Sequence, residues 1–268
     1  MGGQERSRVA EAVAREMRGA GPRDVPQRLC EAVVKLLPVD DAGVALRGEG
    51  MSVPLGASGQ RAADVMELEV TLGDGPGLEA AATGAPVCAR DLASSRDACR
   101  WPVFAQQAAA AGVRSVYALP LGDRAVCVGA LDLYRNVPGE LTADELRTAR
   151  TVADVVTSAL VSLPRSERDD AGRWLSPLAA DHGEVYQAVG MVMVQSGVSA
   201  EEALALLRGH AFAQGCPVLE LAHEVITLHT RFDRYGRFDG SGGFDGIDGS
   251  GGFDGIDGSD GFDASPPP

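Results

Sequence analysis

No run in this 268-residue sequence approaches the roughly 18 unbroken apolar residues of a membrane span. Its start, MGGQERSRVAEAVARE, is charged and has no apolar stretch to act as a secretion signal. A cytoplasmic product with no membrane partner is expected. Cysteine is sparse and scattered: Cys30, Cys88, Cys99, Cys127 and Cys216 form no CxxC and no tight Cys/His pair. An odd, dispersed set argues against a disulfide framework or a zinc site and fits reduced thiols. Lysine is almost absent, Lys35 being the only one, so arginine carries the basic charge. That charge is itself short, with 24 Lys+Arg against 38 Asp+Glu, a net charge of -14 and a pI near 4.7. Bulk binding of nucleic acid draws on a basic field and counterion release, so any contact with RNA or DNA must be local.

Signs of catalysis are equally few. All four histidines (His182, His210, His223, His229) fall in the last third, which leaves no readable Ser-His-Asp order. His223 and His229 are six apart, where a helical metal site needs i to i+4 spacing. The stretch Gly73-Asp74-Gly75-Pro76-Gly77 could suggest a phosphate cradle. However, Pro76 removes an amide donor and no third glycine stands three residues after Gly75, so a structural turn is the better reading. Cys88 and Cys99, with Cys127 as a third thiol, are candidates for redox chemistry if Arg90 and Arg100 depress a thiol pKa; buried structural cysteine is the alternative.

The text divides into three parts. From Phe232 to Pro268 it is rich in Gly, Asp and Ser, with Phe244, Phe253 and Phe262 nine apart. The unit GGFDGIDGS departs from the calcium-binding β-roll repeat, and a roll needs at least about three copies, so a disordered acidic tail is expected. Seven of the acids lie from Phe238 onward with no basic residue among them, so half of the net charge belongs to that tail.

Residues 9–163 read as α+β. Helices are expected at Glu5–Arg18 and Val25–Leu37, and strands at Ala42–Leu46, Met51–Leu55 and Glu67–Leu72. A short helix at Leu78–Thr83, an extended Pro86–Ala89 and a helix at Trp101–Ala111 follow. Ser115–Leu121 and Ala125–Tyr134, joined at Gly122-Asp123-Arg124, make a hairpin. An antiparallel sheet with helices follows from this order. Thr142 and Glu145 form a capping box at the start of a helix reaching Leu163. Its residues Leu146, Ala149, Ala153, Val156, Leu160 and Leu163 step by three and four, the seam of a coiled-coil homodimer, or a face packed on the helix's own sheet.

Residues 174–231 read as three helices. The first carries Val185, Ala188, Val189 and Val192 on one stripe, with Gly190 permitting close approach of a neighbour. The second opens on a Ser199/Glu202 capping box and aligns Ala203, Leu206, Leu207 and His210; Gly215 stops it. Pro217 suits the first position of the third, which aligns Val218, Leu221, Ala222, Val225 and Ile226.

The run Val185-Tyr186-Gln187-Ala188-Val189-Gly190-Met191-Val192-Met193, then Gly197-Val198-Ser199, Glu202-Ala203, Leu207-Arg208 and Ala222-x-x-Val225-Ile226, resembles the ANTAR domain. The preceding LGDGPG, RDLASSRDACRWPVFA, GVRSVYALPL and VGALDLYRN resemble the GAF sensor domain that commonly precedes ANTAR in actinobacterial regulators. The resemblance implies a GAF-like α+β sensor, an all-α three-helix ANTAR-like domain and the tail. It also implies an RNA-binding transcription antiterminator, not an enzyme, whose partners are paired hairpins in leader RNA and an unidentified small ligand or redox signal. Two positions where the family often carries basic residues hold His182 and Val189 here. Asn136-Val137 and Leu141 depart from the signature of cyclic-nucleotide-binding members.

RNA loops are read by stacking and base-edge bonds from a few placed groups. Arg208 is the candidate for phosphate or base, Gln187 and Tyr186 for base edge and stacking, with His210 and Gln214 nearby. Arg208 could instead cap its own helix, and Tyr186 could be core. An acidic protein-interaction module is the alternative function. A thiol reductase of methionine sulfoxide is a second, against which stands Gly77 where such enzymes carry cysteine.

Overall fold

The computed structural model describes residues 2–48, 50–122, 126–162, 177–227, 231–232 and 238–239. Asp123 and Arg124 of the expected hairpin turn, the linker at 164–173 and the tail beyond Asp239 lie outside the described residues. Within the expected tail, Phe232 pairs antiparallel with Phe238, a two-residue ladder that the glycine-rich composition did not announce.

Helices α1 (Gly2–Glu16) and α2 (Val25–Leu36) come first. Pro26 sits in the first turn of α2, where a missing amide is tolerated, and Leu37 is already extended ahead of Pro38. Strands β1 (Asp41–Arg47) and β2 (Ser52–Ala57) form an antiparallel pair. Next come α3 (Gln60–Leu72), α4 (Pro76–Thr83), β3 (Val87–Ala89), the short α5 (Ser95–Ala98) and α6 (Pro102–Ala110). The hairpin of β4 (Ser115–Gly122) and β5 (Cys127–Arg135) follows, then α7 (Ala143–Val161). The sheet is antiparallel in the order β2-β1-β5-β4-β3.

Helices cover both faces of this sheet. On one face α1, α2 and α7 pack against Val44, Leu119, Leu131 and Leu133; on the other α3, α4 and α6 pack against Ala45, Val116, Ala118 and Tyr134. Burial on both faces is why the central strands are almost wholly apolar instead of alternating.

One expected strand is a helix. Glu67-Leu68-Glu69-Val70-Thr71-Leu72 alternates over six residues, but the buried positions are Ala62, Val65, Met66, Glu69, Val70 and Thr71, which recur at helical and not at alternating spacing from Gln60 onward. A short alternating run cannot outweigh the longer helical period that contains it. Gly73 closes α3 in the left-handed conformation, with φ of 68°.

The α7 stripe resolves in favour of the chain's own core. Ala149, Ala153, Val156 and Leu160 are buried in the cluster that holds Val9 and Val13 of α1 and Leu131 and Leu133 of β5, while Leu146 is partly covered there. Leu163 lies outside the described residues. Among its described residues the stripe is therefore taken up by the chain's own core. The Thr142/Glu145 capping box forms, with both reciprocal hydrogen bonds.

The C-terminal helices are α8 (Pro177–Ser196), α9 (Ala200–Gln214) and α10 (Val218–Thr227). Their core joins Val185, Ala188, Val189 and Val192 to Ala203, Leu207 and Ala211 and to Val218, Leu221, Ala222 and Val225. Gly190 is exposed and a Cβ there would meet nothing within 4 Å, so it marks no close approach. Pro217 precedes α10 by one residue, a shift of one from the expected position. Ser199 accepts from the Glu202 amide, and the Glu202 carboxylate accepts from the Ser199 amide. Removing the hydroxyl in Ser199→Ala should cost about 1 kcal/mol, read as faster amide exchange in the first turn of α9 with α10 unchanged.

Candidate functional site

The interior between the sheet and the α3–α4 layer holds two buried acids. Glu69 on α3 and Asp132 on β5 are 4% and 2% exposed. Asp132 stands on the central strand between the small residues Ala118 and Gly43, on the same face as Tyr134. Glu69 Oε1 accepts from the Gly77 amide at 3.0 Å, and the Leu78 amide bonds to the same carboxyl. Because Pro76 has no amide to offer, Glu69 thereby caps the start of α4 with the donors that remain. The Gly77 and Leu78 amides of the GDGPG turn are thus taken by the chain's own carboxylate. Both acids close on the same glycine: a Cβ at Gly77 would stand 2.7 Å from Glu69 Oε2 and from Asp132 Oδ2.

Burial pushes the Asp132 carboxyl up to about 7. Burial, then the nearby Asp132, raises Glu69 well above the usual carboxylate range, against the pull of the Gly77 and Leu78 amides. Asp132 Oδ1 and the Tyr134 hydroxyl have no hydrogen-bond partner among the described residues. Two acids this close and this dry cannot both ionise cheaply, which holds the pair toward its protonated form.

The outer side of the same α3 turn meets the three-helix domain through an exchange of helix ends. The first amides of α10 have no partner within their own helix. Thr71 Oγ1 accepts from the Val218 amide at 2.9 Å, and Glu67 Oε1 accepts from the Leu219 amide at 3.4 Å. In return, Arg208 Nε donates to the Val70 carbonyl at 2.9 Å, in the last turn of α3. An acid therefore sits at the N-terminus of α10 and a cation at the C-terminus of α3, each complementing a helix dipole. Glu67 Oε2 also lies 2.8 Å from Nε2 of His182, which is 2% exposed. Met51, between β1 and β2, and Val70 complete the apolar core of the helical domain. A cleft of about 560 Å³ beside this seam is lined by Met51, Val185, Tyr186, Val189, Leu204 and Arg208, among others.

The expected RNA-contacting residues fall into separate groups. Tyr186 and Arg208 come together in that cleft, both half-buried, with the Tyr186 hydroxyl packed onto Gly48. Arg208 does cap a helix, but α3 rather than its own. Burial opposes its charge, and its Nη2 is buried with no partner among the described residues. Gln187 and Gln214 are exposed. His210 is half-buried and its Nδ1 lies 3.1 Å from the Leu206 carbonyl one turn back. His182 and Val189, at the positions the family often makes basic, are both buried.

The expected redox set finds no support. All five cysteines are free. Burial raises the Cys88 thiol, outweighing Arg90 and Arg100. Cys88 pairs with Tyr117, which pairs with Leu133, six residues along β5 from Cys127. That separation is about 20 Å at roughly 3.3 Å per residue, far beyond the about 7 Å between Cα atoms that a disulfide spans. Cys99 is exposed at the end of α5. Among the described residues no three His, Cys, Asp or Glu converge on a metal position, and no helix is long and apolar enough to cross a membrane.

Sequence reading missed Glu67, Glu69, Thr71 and Asp132. An acid within the apolar run Val128-Gly129-Ala130-Leu131-Asp132-Leu133-Tyr134 was a readable anomaly. Glu67 and Thr71 carry no such mark, because their partners lie 152 and 147 residues away.

Among solved structures the chain is similar to a domain of a putative two-component sensor histidine kinase protein from Sinorhizobium meliloti 1021, at 16% identity and TM-score 0.45 over 56% of this chain and 96% of that one. It is similar to the type II free methionine-R-sulfoxide reductase from Thermoplasma acidophilum, at 16% identity and TM-score 0.41 over 52% and 92%. It is also similar to the GAF domain of a phosphoenolpyruvate-protein phosphotransferase from Coxiella burnetii, at 12% identity and TM-score 0.45 over 59% and 94%. No curated protein matches the chain. The family model of the GAF domain matches residues 19–161, more than half the chain, and that of the ANTAR domain matches residues 175–226. The chain belongs to the GAF family and carries an ANTAR domain behind the sensor, the make-up of a signal-responsive regulator.

Proposed function

We propose that this protein is a transcription antiterminator whose ANTAR domain binds paired hairpins in leader RNA under control of a small ligand or redox state sensed by the GAF domain. The observation that carries this reading is the tandem order of the two domain matches, residues 19–161 and then 175–226. The acidity of the chain is compatible with it. From Arg165 to Arg234 there are six arginines against ten acids, so recognition rests on a few side chains that meet unpaired bases, not on a field. Exposed Gln187 and Gln214 offer amide groups to base edges, and Tyr186 with Arg208 offers a ring and a guanidinium. Two hairpins call for two ANTAR domains, and a homodimer that supplies them would pair through a surface other than the filled α7 stripe.

The test is recovery of nascent RNA on the tagged full-length chain, followed by gel-shift titration of a recovered leader. Leaders with two adjacent hairpins should be enriched, and deleting one hairpin should lower affinity at least about tenfold through lost avidity. Gln187→Ala should weaken binding severalfold without moving the thermal midpoint. Retention of no RNA at moderate salt would reject the reading in favour of a protein-interaction module.

A further inference from the structure

We propose that the docked arrangement is a state of reduced RNA affinity of the chain, and that the last turn of α3 is the latch that holds it. The inference rests on the RNA-binding reading and adds how binding is withheld. Three observations carry it.

The ring and the cation offered to RNA face the GAF domain. Arg208 is bound to the Val70 carbonyl, and the Tyr186 hydroxyl is packed onto Gly48. While α9 lies on α3, the Arg208 Nε and the Tyr186 hydroxyl are turned to the GAF domain and only part of each side chain is open to an RNA loop. The α3 turn also has two working sides. Glu67, Val70 and Thr71 point outward and hold α9, α10 and His182. Glu69, two residues from both Glu67 and Thr71, points inward and holds the start of α4 beside Asp132. Anything that changes the GAF interior at Glu69 shifts the turn on which the ANTAR domain is seated, so no separate relay is required. Finally, the dock is held under electrostatic tension. Arg208 has left water for a carbonyl, with no carboxylate opposite it and one nitrogen unpartnered among the described residues. Release returns that guanidinium to solvent or to a phosphate, which biases the equilibrium toward opening once the latch loosens.

If only a fraction of molecules is undocked, the apparent RNA affinity falls by that fraction. Two full-length variants loosen the latch from the GAF side and leave the side chains offered to RNA unchanged, although Met51 lines the same cleft as Tyr186 and Arg208. Glu67→Ala combined with Thr71→Val removes the acceptors for the Leu219 and Val218 amides. Met51→Glu places a charge where a side chain 3% exposed enters the helical core, in a turn outside the sheet. Docking is read as exchange protection of the Val218 and Leu219 amides, and binding as titration with a synthetic RNA of two adjacent hairpins. Loss of protection with at least about tenfold tighter RNA binding in both variants is expected. Loss of protection with RNA affinity equal to wild type would overturn the latch and leave the RNA reading standing. Loss of protection with no RNA bound by any form would remove the RNA reading, and the latch with it. Protection retained in both variants would show that these residues do not hold the dock, and would also overturn the proposal.

Discussion

Leu160→Asp unfolds the GAF domain. Leu160 is 1% exposed, packed with Val156 and Ala153 of α7 in the cluster that contains Val9, Val13 and Leu131. Placing a carboxylate there removes an apolar side chain worth roughly 1.5–3 kcal/mol of burial and leaves a charge without a partner. The total should exceed about 4 kcal/mol, a large part of the roughly 5–15 kcal/mol that holds a typical domain. The neighbouring Val161 is 63% exposed, and Val161→Asp should stay within about 0.5 kcal/mol of wild type. Denaturant unfolding followed by circular dichroism separates the two. A Leu160→Asp chain that kept its midpoint while changing only its mass in light scattering would restore the coiled-coil role of the stripe and contradict the packing described above.

Raising the pH from about 4 through about 7 should weaken the GAF domain through its two buried acids. The Asp132 carboxyl titrates near 7 in the folded chain and near 3.8 when unfolded, a difference worth about 4 kcal/mol. A folded-state value above the unfolded one means that the native state binds more protons between the two. The contribution is therefore fully present below about pH 4 and is lost as pH rises through about 7. Glu69, raised for the same reason, acts in the same direction. Asp132→Asn keeps the shape and removes the titration. The stability of wild type relative to Asp132→Asn should fall by several kcal/mol, on the order of 4, between pH 4 and pH 8, measured as urea midpoints at stepped pH. A constant difference would show that burial does not hold Asp132 in its protonated form.

Much of the architecture was legible from the residues because its signals are local. Capping boxes at Thr142/Glu145 and Ser199/Glu202, the glycine stop at Gly215 and the β4–β5 pair each follow from a few consecutive positions, and each is present. The α3 helix failed for the opposite reason, since its last six residues read in isolation alternate like a strand. The α7 stripe was ambiguous because a face that packs on a sheet and a face that packs on another chain have the same spacing. What filled it, α1 and the sheet, comes from elsewhere in the sequence. The seam between the domains was not legible at all. Arg208 and Val70 are 138 residues apart, and neither a hydroxyl at Thr71 nor a carboxylate at Glu67 differs in sequence from any exposed polar residue. Arg208 stands in the Leu207-Arg208 pair of the ANTAR resemblance, and the structure shows it facing a carbonyl of another domain.

The exchange of helix ends also sets an order in time. Synthesis runs from the N-terminus, and domains generally fold as they emerge. The whole GAF match, through residue 161, is made before Arg208 exists, so the Val70 carbonyl at the end of α3 must first be satisfied by water. During that interval the sensor folds without α9 and α10 seated on it. If the seam is the latch proposed above, the newborn chain passes through its open form before its closed one.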